Sequence, residues 1–537
     1  MRAIGLVFAA GSLAASIATT GSEARRPTAS QDPGTAIDRA FDAFWSAPDR
    51  ARAADRIGAI LKTGVSFDEA LSRVRRGRSY DADAGRGRQF GRTRTLDGIE
   101  HPYAFVVPKS YDPSRSYQVR VQLHGGVARV RPLAFDRIRT DSLPSGAEEI
   151  AVFPVSWVHS LWWSATQVDN LARILDRLKR TYNIDENRVY LTGTSDGGTG
   201  VYYMAFKDTT PWASFLPLIG NMMVLGTPAV RVDGEIFPGN AVNKPLYVVN
   251  GGRDRLYPAH SLELYMEHLQ KLGAPLVFRV YPDSDHSTAW WPQDRGAFEE
   301  FVHDHPREPL PDRISWETER TDRHNRAHWL IIDRLGAVDG ESRLPDSNIL
   351  RRGLEYEFGL RINSSVDRGR RVSEIVAGSN ASTLGLRVGD RFLEVDGSPV
   401  QSGVDISERL QRWKIGDPVR LLVERGRERV ALEGIFEPAQ VEPPPAPIFP
   451  RRKPGGRVDV TRRGNTVDAS TQGVTALTLL LSPSVFNFGQ PVKVVANGRV
   501  AFEGMVEPDV ATMLKWAARD NDRTMVFGAE LNIELRD

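Results

Sequence analysis

The sequence predicts an α/β fold, a doubly wound and mostly parallel sheet, joined to smaller β-rich units. Short apolar runs alternate with amphipathic helical stretches from about residue 98 to 308, the pattern of parallel strands connected by covering helices. One apolar run ends in a Gly-x-Ser-x-Gly turn and passes directly into small helix-forming residues. Beyond residue 309 the pattern changes to short strands separated by Gly- and Pro-rich turns. At 537 residues the chain exceeds one core, since single cores rarely grow past roughly 250–300 residues.

The elements follow in chain order. Arg2 precedes an apolar stretch, Ile4 to about Ala18, and Ser22-Glu23-Ala24 is a small-x-small cleavage candidate. Residues 1–24 therefore read as a signal peptide, too short and too rich in small residues to span a bilayer. The expected location is the periplasm or the exterior. Residues 25–97 form an N-terminal helical segment in which Ser66-Phe67-Asp68-Glu69 opens a helix as a capping box. Its expected role is packing against the next domain. Residues 98–308 hold strands at Tyr103–Pro108, Tyr117–Leu123, Ile150–Pro154, Arg188–Leu191, Phe215–Ile219, Leu246–Asn250 and Leu276–Tyr281. Helices are expected at Val168–Thr181, Gly198–Phe206, His260–Leu272 and Arg295–His303. Residues 309–349 begin a β-rich domain, 350–436 form a self-contained unit, 437–456 a Pro-rich linker, and 457–537 the rest of the β-rich domain. The pair of strands in Ile314–Asp333 is too small to bury a core alone. It is expected to pair with strands beyond residue 457, with the 350–436 unit inserted between the two halves.

Composition removes several function classes. Lys and Arg number 70 against 68 Asp and Glu, a net charge of +2, which makes no electrostatic case for nucleic acid. No segment after the signal peptide is apolar enough to span a membrane. With no cysteine in the chain there are no disulfides, no thiol nucleophile and no Cys-based zinc site. No metal and no cofactor is implied.

The chemistry centres on Gly193-Thr194-Ser195-Asp196-Gly197. Placed between a strand and a helix, this is the nucleophile elbow of the α/β-hydrolase fold, a strained turn that holds a serine hydroxyl clear of the backbone. In that fold acid and histidine follow the serine in order along the chain. The strand Leu246–Asn250 runs into Gly251-Gly252-Arg253-Asp254, so Asp254 is the candidate acid. Among the later histidines, His286 lies in a loop directly after a strand and is the candidate general base. The oxyanion hole needs two backbone N–H groups. One is assigned to Asp196, and the other to Gly125 or Gly126 in the His124-Gly125-Gly126 loop that follows Tyr117–Leu123. Trp162 and Trp290 are candidates for lining the substrate pocket, against the alternative of core packing.

The run Asn183–Gly198, which contains the elbow, resembles secreted serine esterases of the α/β-hydrolase superfamily. It is similar to polyhydroxybutyrate depolymerase, feruloyl esterase and prolyl-oligopeptidase-like catalytic domains. The resemblance spans about Tyr103–His305. It implies hydrolysis of a small-molecule or polymeric ester through an acyl-enzyme, with a peptidase using the same residues as the alternative.

In the inserted unit, Ala381-Ser382-Thr383-Leu384-Gly385-Leu386-Arg387-Val388-Gly389-Asp390 and the following Arg391–Gly397 resemble the PDZ pattern, with Phe392 where isoleucine is usual. Phe358, Gly359 and Leu360 stand at the carboxylate-binding loop of that family. The resemblance implies a peptide C-terminus as a partner, bound as an added strand. A catalytically idle hydrolase fold acting as a PDZ-based adaptor is the reading from a different class.

Overall fold

The computed structural model describes residues 33–141, 148–337, 344–350, 358–362, 367–410, 412–437 and 445–535. The expected signal peptide lies outside them. The largest sheet has eight strands. These are β1 (Gly87–Arg94), β2 (Glu100–Val107), β3 (Tyr117–Leu123), β4 (Ile150–Pro154), β5 (Ile184–Thr194), β6 (Phe215–Leu218), β7 (Leu246–Gly251) and β8 (Leu276–Tyr281), in the order β1-β2-β4-β3-β5-β6-β7-β8. Strands β3 to β8 pair in parallel, and β1 and β2 add an antiparallel edge. The central strands are apolar on both faces because helices cover both; β6 and β7 have no exposed residue.

The sheet begins at Gly87, inside the segment expected to be helical. Its first strand, GRQFGRTR, gives no apolar alternation because its inward positions are Gly87, Gln89, Gly91 and Thr93 while its arginines point outward at the sheet edge. The N-terminal segment folds as four short helices between Pro33 and Arg76, with the Ser66–Glu69 capping box formed. Its apolar face packs mainly against the last helix, Val510–Asp520: Phe41, Phe44, Ile60 and Val74 share one cluster with Met513, Leu514 and Ala517. The main apolar partner of this segment is thus at the far end of the chain, not in the domain that follows it.

Two further sheets make the C-terminal module. Arg313–Thr318 pairs with Gly456–Arg463, and Leu330–Leu335 with Val474–Leu481. The halves on either side of the inserted unit thus complete each other's sheets around Trp316, Trp329, Leu479 and Phe527. The insertion leaves this module through a stem. Ile349–Leu350 pairs with Ala446–Pro447, and Asn348 and Phe449 exchange bonds of 2.8 and 2.9 Å. Leu350, Ile448 and Phe449 are buried in the core of the eight-stranded domain.

The inserted unit has its own core, in which Phe358, Phe392, Ile406, Trp413, Leu421 and Val423 are buried. Its signature residues have structural reasons. Gly385 and Gly389 take φ of +80° and +94°, conformations that favour glycine. Asp390 is buried and receives both Arg425 and the amide of Arg387.

One acid is poorly placed. Asp208 follows the helix Asp196–Lys207, among the carbonyl ends of that helix, where negative charge is disfavoured. Burial raises its carboxyl to about 6, although Arg50 and Arg326 act against this. Above that pH the folded state must hold an ionised carboxylate that the unfolded chain holds at no cost; below the unfolded value neither state does. Asp208→Asn is therefore expected to stabilise the protein by on the order of 1–3 kcal/mol at about pH 8, with the gain shrinking toward about pH 5. Urea midpoints at the two pH values measure it, and a gain that grows on acidification would contradict the assignment.

Candidate active site

The site forms at the carboxyl ends of β3, β5, β7 and β8, where open parallel sheets place their crevices. Strand β5 ends at Thr194, and the helix Asp196–Lys207 begins immediately after Ser195. Ser195 itself has φ 55° and ψ −121°, a strained conformation for a non-glycine residue. The turn is tight enough that only glycine fits beside it. A Cβ on Gly197 would stand 2.2 Å from the carbonyl oxygen of Leu123, and one on Gly193 would stand 2.4 Å from that of Gly197.

The three residues expected to act together do meet. His286 Nε2 lies 2.8 Å from Ser195 Oγ, and His286 Nδ1 lies 2.7 Å from Asp254 Oδ2. Asp254 is fully buried and His286 partly exposed. Burial alone would raise the Asp254 carboxyl, but the His286 bond and the amides of Tyr257 and Leu256 hold it below the usual range. The acid is therefore ionised and aimed at the imidazole, which fixes the proton on Nδ1 and leaves Nε2 free to accept from the serine. The acid loop is fastened to the histidine loop by the Arg253 amide, which donates to Ser284 O at 2.9 Å.

The opposite wall is the loop after β3. A Cβ on Gly125 would lie 3.0 Å from Ser195 Cβ, so this backbone runs directly beside the hydroxyl. The third amide of the loop is already taken, because Val127 N donates to Asp196 Oδ2 at 3.0 Å. That leaves Gly125 and Gly126 as the candidate donors. Asp196, first in its helix, has an amide with no intrahelical acceptor. His124 braces the loop: its Nδ1 donates to Gly125 O at 2.9 Å, and its Nε2 accepts from Ser156 N at 3.0 Å. Gly125, Gly126, Ser195, Ile219, His286 and Thr288 border an open cleft of about 420 Å³.

The two tryptophans expected in the pocket are elsewhere. Trp162 is fully buried, donates to His124 O at 2.9 Å, and packs against Gly200 beneath the elbow. Trp290 is buried in a stack with Tyr281. Neither borders the Ser195 cleft. Both are core residues, and the aromatic surface that suggested a pocket instead supports the loops behind it.

Sequence reasoning passed over Tyr257. Its hydroxyl donates to Asp196 Oδ1 at 3.3 Å, its amide donates to Asp254 Oδ1 at 2.9 Å, and its ring meets His286 edge-on at 5.4 Å. It thus ties the acid loop to the elbow, and through Asp196 to the Gly125-Gly126-Val127 loop. The spacing Asp254-x-x-Tyr257 was the available signal, but the Asp196 contact is long-range and no local pattern encodes it. Tyr257→Phe is expected to lower kcat by about tenfold, the worth of one hydrogen bond to a charged group, while leaving the fold intact. Steady-state kinetics beside a thermal melt check this, and an unchanged kcat would remove Tyr257 from the positioning role.

Residues 156–304 match the dienelactone hydrolase family, and residues 371–425 match a PDZ domain family. The chain joins an α/β-hydrolase domain to a PDZ domain. Among curated proteins, it is 23% identical over 163 residues to a bifunctional acetylxylan esterase/xylanase of Neocallimastix patriciarum, covering 29% of this chain and 22% of that protein. It is 36% identical over 64 residues to a putative serine protease of Synechocystis sp. (strain ATCC 27184 / PCC 6803 / Kazusa), covering 12% of this chain and 15% of that protein. The chain therefore spans under a quarter of the length of these relatives. Among solved structures, a thermostable esterase is 21% identical at a TM-score of 0.33, covering 41% of this chain and 63% of that one.

The PDZ domain places Phe358 in its core and Leu360 at the start of the strand Leu360–Ile362, with Gly359 between them at φ +80°. Gly359 O accepts from Val376 N at 2.9 Å. Among the described residues no helix is long and apolar enough to cross a membrane, and no group of three or more His, Asp or Glu could hold a metal ion.

Proposed function

We propose that this chain is an exported serine hydrolase that cleaves carboxylic esters. The observation that carries the reading is the unbroken hydrogen-bond line from Ser195 through His286 to Asp254. Ser195 Oγ attacks the ester carbonyl carbon as His286 Nε2 takes its proton, and Asp254 stabilises the resulting imidazolium. The amides of Asp196 and of Gly125 or Gly126 receive the developing oxyanion. Collapse of the tetrahedral intermediate expels the alcohol, which takes the proton from His286. Water, activated by the same imidazole, then releases the acid from the acyl-serine. The substrate is a small or polymeric ester, in keeping with the open cleft. The PDZ domain, through the loop at Phe358, Gly359 and Leu360, takes a peptide C-terminus.

The test is labelling of the purified protein with a fluorophosphonate. An activated serine labels, and Ser195→Ala abolishes the label. A wild-type protein that stays unlabelled would favour the adaptor reading.

A further inference from the structure

The acid loop faces the PDZ helix Gly403–Leu410 across a polar gap of about 490 Å³. Arg253 and Arg255 border it from the hydrolase side, and Arg409 and Arg412 from the PDZ side. Two carboxylates also border the gap, but both are engaged. Asp254 is held by His286, Leu256 and Tyr257. Asp405 accepts the amides of Gln401 and Ser402 at the start of its own helix. Of the four guanidinium groups, Arg253 pairs with the exposed Asp283, outside the lining. Arg409 donates to the carbonyls of Ser398 and Pro399, neutral acceptors that leave its charge uncompensated. The guanidinium groups of Arg255 and Arg412 have no hydrogen-bond or ion-pair partner among the described residues. His260, also on the lining, has a buried Nε2 with no partner.

No hydrogen bond or ion pair between described residues joins the PDZ helix to the acid loop. Each wall carries two guanidinium groups against one carboxylate, Arg253 and Arg255 with Asp254 and Arg409 and Arg412 with Asp405, and the lining as a whole is cationic. A second charged cavity, lined by the hydrolase domain and the C-terminal module, is different. There Arg326 pairs with Asp520 and Arg307 with Asp522, all four of them on the lining. Guanidinium groups match carboxylate and phosphate in geometry as well as charge. We propose that the gap between the acid loop and the PDZ helix is an anion-binding site, which takes a carboxylate or phosphate group and bridges the two domains through Arg255 and Arg412.

The anion comes either from an acidic substituent of the substrate or from a free multivalent anion, and the experiment separates them. Calorimetric titration of the full chain with inorganic phosphate and with citrate, at constant ionic strength, is expected to show binding of at least one. Arg255→Gln/Arg412→Gln should weaken it by about tenfold or more, because two charge-assisted contacts are removed. Both side chains are exposed and unpartnered among the described residues, so the variant should keep the wild-type melting temperature. Arg131→Gln/Arg427→Gln removes the same charge at exposed positions outside the gap and should leave the affinity unchanged. No binding of either anion by the wild type, or an equal loss in both double variants, overturns the proposal. Calorimetry needs no turnover, so it stands or falls apart from the hydrolase reading. The source follows from kinetics. A KM raised in Arg255→Gln/Arg412→Gln for an ester bearing a free carboxylate, but not for its neutral analogue, assigns the anion to the substrate. Unchanged KM values alongside weakened phosphate or citrate binding assign it to a free anion.

Discussion

Replacing Ser195 with alanine is expected to lower ester hydrolysis by about 10⁴–10⁶-fold, with His286→Ala falling in the same range. The two losses should not add, because in the proposed mechanism the transfer of a proton from Ser195 Oγ to His286 Nε2 is one event across a single 2.8 Å bond. The double variant should therefore resemble either single one. Asp254→Asn should lose less than either, since it leaves nucleophile and base in place and disturbs the tautomer they need. Neither Ser195→Ala nor His286→Ala should unfold the protein, because the elbow is set by the close approach of Gly193 and Gly197 to neighbouring backbone. Initial rates on a chromogenic ester, beside thermal melts, measure all four. Ser195→Ala retaining more than about a hundredth of wild-type activity would move the chemistry elsewhere.

The second large effect concerns stability. Arg307 and Asp522 are both buried at the junction of the hydrolase domain and the C-terminal module and lie 2.7 Å apart. Arg307 also donates to Asn187, Thr524 and the carbonyl of Thr210. Burial would raise the Asp522 carboxyl, but Arg307 and Lys179 hold it far below the usual range. Removing one partner strands a buried charge, at a cost of about 3–5 kcal/mol. Arg307→Met and Asp522→Leu should each destabilise by about that much, and the double variant by clearly less than their sum. Urea denaturation of the single and double variants measures the coupling. Additive losses would mean that the two residues act independently.

The meeting of the candidate site residues was legible because they stand in short segments at strand ends. Ser195, Asp254 and His286 each follow an apolar run, and their order along the chain selects among the histidines. The fold was legible for the same reason, since buried parallel strands are short apolar runs between helices. What failed was whatever depends on contacts between distant segments. A tryptophan beside a site looks the same in sequence whether it faces substrate or, like Trp162, buttresses a loop from behind. The edge strand Gly87–Arg94 has no apolar period because its inward positions are Gly87, Gln89, Gly91 and Thr93, glycine or polar residues. The role of Asp196 as the link between Val127 and Tyr257 needs three loops brought together, and no spacing along the chain announces it.

The paired stem beneath the PDZ domain has a consequence for folding. Asn348 and Phe449 are 101 positions apart in the chain and bonded in space. Closing a flexible loop of that length costs about 4 kcal/mol in chain entropy. A folded PDZ domain with adjacent ends removes most of that cost before the two halves of the C-terminal module meet. Unfolding the insert would return the cost to its host. The stability of the β-rich module is thereby linked to that of the PDZ domain by polymer statistics alone, even where their side chains never touch.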